Sequence, residues 1–352
     1  MRAFDLCSGI GGFRLGAQLS EKGDEFKFVA YSDSDPYANK AYSKIYDVDD
    51  EVCLNDIQLH TRFSEELELT GLLPERSDRA ELINRDIPDF DFLFAGFPCQ
   101  PHSLMGNRKG TTDLRGNIFY DIVEIIKVKQ PAYFLLENVK ALTSVNNGAF
   151  FNEIKDILRN HLGYRLQVWS LNAADYGVPQ TRRRIFIAGS KVKPLPASDP
   201  LNDSPLNLYP TTWHLLERQA DNRYFLSENI LKTILKDEHK GYKRKAEINK
   251  LIARPLVKSM HKMHRASQDN YYSEDFILGR YDDVEENVIL KEQPNPRIRR
   301  ITPTEAFKIQ SFTDDIVDKL VNSGLSDTRL YMLAGNAVPP QLVKCVVNHM
   351  FR

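Results

Sequence analysis

A chain of 352 residues, 42% hydrophobic and 27% charged, has room for one large domain and a smaller one and lacks the charge bias of a disordered chain. Its net charge of -1 leaves any polyanion contact to a local basic patch, and no apolar run reaches the roughly 18 residues of a membrane span. The opening MRAFDLCSGIGG is not a basic and then apolar leader, and Cys7, Cys53, Cys99 and Cys345 form neither a CxxC pair nor a Cys/His cluster; the expectation is a soluble intracellular protein with free thiols, without a zinc site or a disulfide framework.

In chain order, RAFDLC predicts a strand and GGFRLGAQLSEKG a helix. FKFVAYSD predicts the next strand, and DPYANKAYSKIYD a helix with Asp35 as N-cap and Pro36 as first helical residue. Residues 58–86 are highly charged with few strand signals and predict a partly helical surface insertion. FDFLFAGF follows as a strand, NIFYDIVEIIKVKQP as a helix closed by Pro131, AYFLLENV as a strand, FFNEIKDILRNHLG as a helix capped by Gly163, and RIFIAGS as a strand. This alternation predicts an α/β class with a doubly wound, mostly parallel sheet over residues 1–190. From 191 to 296 the sequence turns Pro-, Asn- and Lys/Arg-rich and predicts a second, smaller domain of unreadable interior. Residues 297–352 return to the first domain, with a capping box of Thr302 and Glu305 around Pro303 and a last helix in PPQLVKCVVNHMF.

Four stretches carry chemistry. In FDLCSGIGGF a strand runs into Gly9, Gly11 and Gly12 and then a helix, which brings backbone N–H groups close to a ligand. Arg14 stands where a dinucleotide fingerprint needs its third glycine, so a smaller nucleoside fits better, with Asp33 or Asp35 at the end of the second strand for the ribose hydroxyls. The same glycines also suit a turn made only for close strand-to-helix packing. In DFDFLFAGFPCQPHS the apolar run stops at Gly96, and Cys99 follows Pro98 at the edge where open α/β sheets bind ligands. Glu137 in FLLENV emerges on that edge too, unless it only caps the next segment. In QTRRRIF an extended backbone puts Arg182 and Arg184 on one face, suited to an anion or a carbonyl-rich base; a solvated charge run is the plain alternative.

The order FDLCSGIGGF, SDSDPYA, NDI, AGFPCQPHS, ENV, QTRRRIF, RRITPTEAFKIQSF and LAGNAVPPQLV resembles the successive motifs of the DNA (cytosine-5)-methyltransferases. The resemblance spans both ends of the chain and leaves 191–296 for a target-recognition domain. It implies a Rossmann-like S-adenosylmethionine-dependent methyltransferase fold. It makes Cys99 the nucleophile for carbon 6 of cytosine, a task for which thiolates are well suited. Glu137 becomes the carboxyl on ring nitrogen 3 and the exocyclic amine, Asn138 a loop-holding residue, and Arg182 and Arg184 partners of the base oxygen and the Cys99 loop.

For S-adenosylmethionine the resemblance implies Phe13 near the adenine, Asp33 on the ribose, Asp56 and Ile57 at the adenine edge, the backbone near Gly9 and Gly11, Pro98, and Asn336 closing the site. Ser34 departs from the family, in which several members carry a bulky apolar residue. Gln100, Ser103 and Arg115 become DNA contacts, the last two in a Gly-rich basic loop at 101–119, and basic residues of 240–265 become phosphate contacts. The target base would be flipped out of double-stranded DNA. Implied with this are a monomeric, cytoplasmic enzyme of prokaryotic or phage origin, working alone or beside a cognate restriction endonuclease. A tRNA cytosine-5 methyltransferase and a catalytically inactive DNA-binding module remain as alternatives; a hydride-transfer enzyme is opposed by Arg14.

Overall fold

Seven strands form one sheet: β1 (Arg2–Leu6), β2 (Lys27–Ser32), β3 (Val52–Cys53), β4 (Phe92–Gly96), β5 (Tyr133–Val139), β6 (Arg165–Asn172) and β7 (Arg183–Ser190), in the order β3-β2-β1-β4-β5-β7-β6. The computed structural model describes residues 1–61, 76–98, 118–200, 209–234, 238–239, 242–243, 247–262, 264–265, 268–279 and 297–352. Cys99, Gln100, Ser103 and Arg115, and residues 62–75 of the charged insertion, lie outside them. By contacts the chain divides into one unit of 1–171, 183–201 and 343–352 and a second of 172–182 and 202–342.

In the first unit β1 pairs in parallel with β2 and β4, β2 with β3, and β4 with β5, while β7 runs antiparallel to β5. The expected doubly wound, mostly parallel sheet is thus the one observed. The strand order reverses beside β1, which makes the ends of β1 and β4 the switch point where such sheets take their ligands. Phe92 to Ala95 of β4 are fully buried, as a strand covered on both faces requires. On one face Leu93 and Ala95 join Phe4, Leu6, Phe134 and Leu136 against Phe119, Ile122, Ile125 and Ile126. On the other, Phe92 and Phe94 stack at 4.2 Å, with Phe28 and Phe13 near Phe94.

Local signals place the helices. α1 (Gly12–Gln18) starts behind Gly11, whose φ of 75° is left-handed; α2 (Pro36–Ile45) starts behind Asp35, whose side chain accepts from Tyr37 N. α3 (Gln58–Thr61) and α4 (Arg76–Asp86) lie in the charged insertion. α5 (Ile118–Lys129) ends before Pro131, and α6 (Ala149–Asp156) widens into a π turn over Ile157–His161 before Gly163 at φ 75°. β3 and β6 are the strands that the sequence pattern does not reveal: β3 is two exposed residues, and β6 is an edge strand only partly buried.

The second unit holds α7 (Glu228–Ile234), the short pair β8 (Glu238–His239) and β9 (Tyr242–Lys243), and the antiparallel pair β10 (Tyr271–Ser273) and β11 (Ile298–Arg300). α8 (Glu274–Leu278), α9 (Pro303–Ile309), α10 (Asp314–Val321) and α11 (Asp327–Asn336) complete it. Leu226, Ile234, Ile248, Tyr271 and Ile298 form a small core. The capping box is present: Thr302 accepts from Glu305 N, and the Glu305 carboxylate accepts from Thr302 N at 2.8 Å. That carboxylate is fully buried and also pairs with Arg299 at 2.6 Å, so the cap is anchored to β11. α12 (Pro340–Met350) carries the chain back into the first unit.

Candidate active site at the carboxyl edge of the sheet

The glycine turn and the end of β2 are tied directly. Gly9, at φ 56°, donates its N–H to Asp33 Oδ2 at 2.9 Å, and Asp33 Oδ1 accepts from Asp35 N at 2.9 Å. Asp35 is committed to capping α2, which leaves Asp33 as the acid facing the turn. Behind it, Asn39 Nδ2 donates to Asp33 O at 2.8 Å, and Ser32 Oγ to Asn55 O at 2.7 Å, fixing the loop in which Asp56 accepts from Gln58 N. Ile57 is buried at 2% exposure.

The glycines separate by role. Among the described residues a Cβ on Gly9 would meet nothing within 4 Å, whereas one on Gly11 would sit 2.3 Å from the Tyr46 ring. Gly11 therefore serves packing, and the open space lies over Gly9. A nucleoside carrying ribose hydroxyls fits this set of groups: half-buried carboxylates at the ends of β2 and β3, and clear space above a backbone turn. Arg14, the residue that argues against a dinucleotide, is buried and pairs with Glu51 at 2.7 Å. Two thiols are set aside by their surroundings. Burial pushes Cys7 far above the ordinary thiol range and Cys345 up to about 11, so neither is a ready thiolate.

Glu137, partly buried between the buried Leu136 and Asn138 of β5, lies opposite Gly96 of β4. A Cβ on Gly96 would lie 3.5 Å from the Phe13 ring and 3.6 Å from Glu137 Oε2, so the missing side chain leaves ring and carboxylate a shared clearing. Arg184 enters from the antiparallel β7, where it pairs with Val139, and its Nε lies 2.6 Å from Glu137 Oε1. Both side chains are largely buried, at 13% and 12% exposure. Asn138 points the other way: its Nδ2 donates to Phe97 O at 2.9 Å while its Oδ1 accepts from Val139 N at 2.8 Å. β5 thus holds the backbone of Phe97, two residues before Cys99 in the chain. Pro98 is exposed, and Phe13 is buried against Phe94.

Arg182 and Arg184, expected on one face, meet different partners. Alternation applies inside a strand, and β7 begins at Arg183, so Arg182 precedes it. Arg182 is 2% exposed, and its guanidinium donates to Leu256 O, Gly335 O and Ala337 O. Asn336 is exposed at the end of α11 in the second unit. Of the basic stretch expected to meet phosphates, Lys250 and Arg254 pair with Glu247 and Arg265 with Asp269, while Lys258 and Lys262 are exposed.

One group escaped the sequence reading. Asp5 of β1 is fully buried; Tyr42 Oη donates to its Oδ2 at 3.2 Å, and its Oδ1 has no hydrogen-bond partner among the described residues. Burial holds its carboxyl well above the usual range. A single acid within an apolar strand carries no periodic signal that would have revealed it.

The family model described as C-5 cytosine-specific DNA methylase matches residues 1–352. Type II methyltransferase M1.ScrFI of Lactococcus lactis subsp. cremoris is 31% identical over 350 residues, covering 99% of this chain and 77% of its own. Type II methyltransferase M.NlaX of Neisseria lactamica is 31% identical over 349 residues, covering 99% and 96%. The solved S. pombe Dnmt2 methyltransferase shares the fold, with a TM-score of 0.72 over 100% of this chain and 98% of that one at 18% identity. The chain belongs to the C-5 cytosine-specific DNA methylase family and is a DNA (cytosine-5)-methyltransferase.

Proposed function

We propose that this enzyme methylates carbon 5 of a cytosine within a defined sequence of duplex DNA, with Cys99 as the covalent nucleophile. The observation that carries the reading is the Glu137 carboxylate, held by Arg184 beside Gly96 on the strand that leads to Pro98 and Cys99. Membership of the family and the fold imply S-adenosylmethionine, which when bound supplies an electrophilic methyl group. Gly9, Asp33, Asp56 and Ile57 are the residues of the first unit that would hold it, with Gly11, Phe13 and Pro98 at the same edge. Asn336, exposed at the end of α11, is a further residue that would bind it.

Cys99 gives its thiolate to carbon 6 of the flipped cytosine, which makes carbon 5 nucleophilic. Glu137 gives a proton to ring nitrogen 3 as the thiolate adds and accepts from the exocyclic amine, relieving the negative charge that the addition places on the ring. Arg184 fixes the carboxylate, and Asn138 fixes the backbone before Cys99. After transfer, water takes the proton from carbon 5, the freed electron pair restores the ring double bond, and the bond from carbon 6 to sulfur breaks to release the Cys99 thiolate. Gln100, Ser103 and Arg115 contact the DNA, and the second unit, with Lys258 and Lys262 on its surface, reads the target sequence. The enzyme works as a monomer in the cytoplasm of a bacterium or a phage host, alone or beside a restriction endonuclease.

Labelled methyl transfer tests the substrate: label enters duplex DNA and not tRNA, and the reverse pattern would overturn the assignment. Duplex carrying fluorine at carbon 5 of the target cytosine traps a covalent complex that Cys99→Ala abolishes. An undiminished complex in that variant would remove Cys99 as nucleophile.

A further inference from the structure

We propose that Arg182 is a positioning residue that fixes Asn336 for cofactor binding and does not touch the base. This rests on the reading that Asn336 binds the cofactor. Arg182 Nη1 donates to Leu256 O at 2.8 Å, and Nη2 donates to Gly335 O at 3.1 Å and Ala337 O at 2.9 Å. The last two carbonyls flank Asn336, the final residue of α11. Carbonyls at a helix C-terminus lack intrahelical donors and carry partial negative charge, so a buried guanidinium both satisfies and neutralises them.

The same turn is held from other directions. Ala337 N donates to Leu333 O at 3.1 Å. A Cβ on Gly335 would lie 2.3 Å from Val257 C and 2.5 Å from Lys258 N, so only glycine lets that backbone rest against the helix. Gln180 accepts from Leu256 N at 3.0 Å and donates to Gln310 Oε1 at 3.2 Å, and Gln310 in turn donates to Ala334 O at 2.6 Å. The backbone around Asn336 is therefore gripped on both sides while Asn336 itself stays exposed. A preorganised backbone presenting one free amide side chain is a ligand contact prepared in advance. Lysine cannot replace the arginine, because one ammonium does not span two carbonyls of a turn and a third from another segment in the guanidinium's fixed fork.

The test measures S-adenosylhomocysteine binding to the full chain by calorimetry for Arg182→Lys, Asn336→Ala and the double variant, with melting curves alongside. Each single change is expected to weaken binding roughly tenfold, and the double variant to bind no more weakly than the weaker single. Arg182→Lys is also expected to raise KM for the methyl donor more than it lowers kcat at saturating donor. Losses that add in the double variant, or wild-type affinity in Arg182→Lys, overturn the proposal. Wild-type affinity in Asn336→Ala alone removes the underlying cofactor reading, an outcome that does not involve Arg182. Should Arg182→Lys fail to fold, Arg182→Ala is assayed with added methylguanidinium; recovered affinity supports the proposal, and no recovery overturns it.

Discussion

Removing the Arg184 guanidinium isolates its effect on Glu137. The contact is an ion pair of 2.6 Å between side chains 13% and 12% exposed, so little water is present to replace it. Close charge pairs couple by about 1.5–7 kcal/mol, and the remaining exposure puts this one at the lower end, about 1.5–3 kcal/mol. If Glu137 stabilises the charge that thiolate addition places on the ring, a loss of that size slows adduct formation by roughly 10- to 10²-fold, at about 1.4 kcal/mol per tenfold. Arg184→Ala should approach the upper figure. Arg184→Lys should approach the lower, since it keeps a charge but not the planar donor. The assay is single-turnover methyl transfer together with the rate of covalent trapping on duplex carrying 5-fluorocytosine, with cofactor affinity measured in parallel. Both rates should fall together and the affinity should hold. An Arg184→Ala variant that traps DNA at the wild-type rate would refute the assigned role of the pair, as would a loss confined to cofactor binding.

The two turn glycines should part company. Gly11→Ala meets the Tyr46 ring at a left-handed φ and should lower stability by roughly 2–4 kcal/mol in denaturant unfolding, whereas Gly9→Ala should cost only about 1–2 kcal/mol and act chiefly on cofactor affinity. Equal destabilisation by the two would contradict the division of roles. Glu305→Ala leaves the buried Arg299 charge unpaired and should cost about 3–5 kcal/mol; a loss under about 1 kcal/mol would show that β11 and α9 do not depend on the pair. For Asp5, burial raises the folded carboxyl well above its unfolded value of 3.8, although Arg14 and Tyr42 oppose the shift and Glu51 and Asp33 reinforce it. Its contribution to stability is complete below that unfolded value and is lost as pH rises through the folded one. Asp5→Asn should therefore gain on the wild type as pH is raised from about 5 to about 8 in thermal melts; a gap that narrows with pH would refute this.

Features encoded by neighbouring residues were legible in the sequence. Asp35 before Pro36 and Thr302 before Glu305 act over one helical turn, so the residues that signal the cap are those that form it. The central strands were equally plain, because burial on both faces leaves an unbroken apolar run in β4. β6 was hidden because an edge strand with partly exposed residues mixes polar and apolar side chains without a clean period. The edge that collects Gly9, Asp33 and Glu137 followed from strand direction alone. The fate of Arg182 did not, since its partners at 256, 335 and 337 lie far along the chain and offer carbonyls, which every residue has.

The return of α12 has a consequence for a shortened chain. Residues 343–352 belong to the first unit, where Phe351 packs on Phe26, Phe92 and Tyr133 and His349 hydrogen-bonds Ser198 O. These contacts seal the face of the sheet on which Phe92 and Phe94 stack. A chain cut before residue 343 therefore carries Glu137 and Arg184 on a sheet whose Phe92 ring has lost its packing against Phe351.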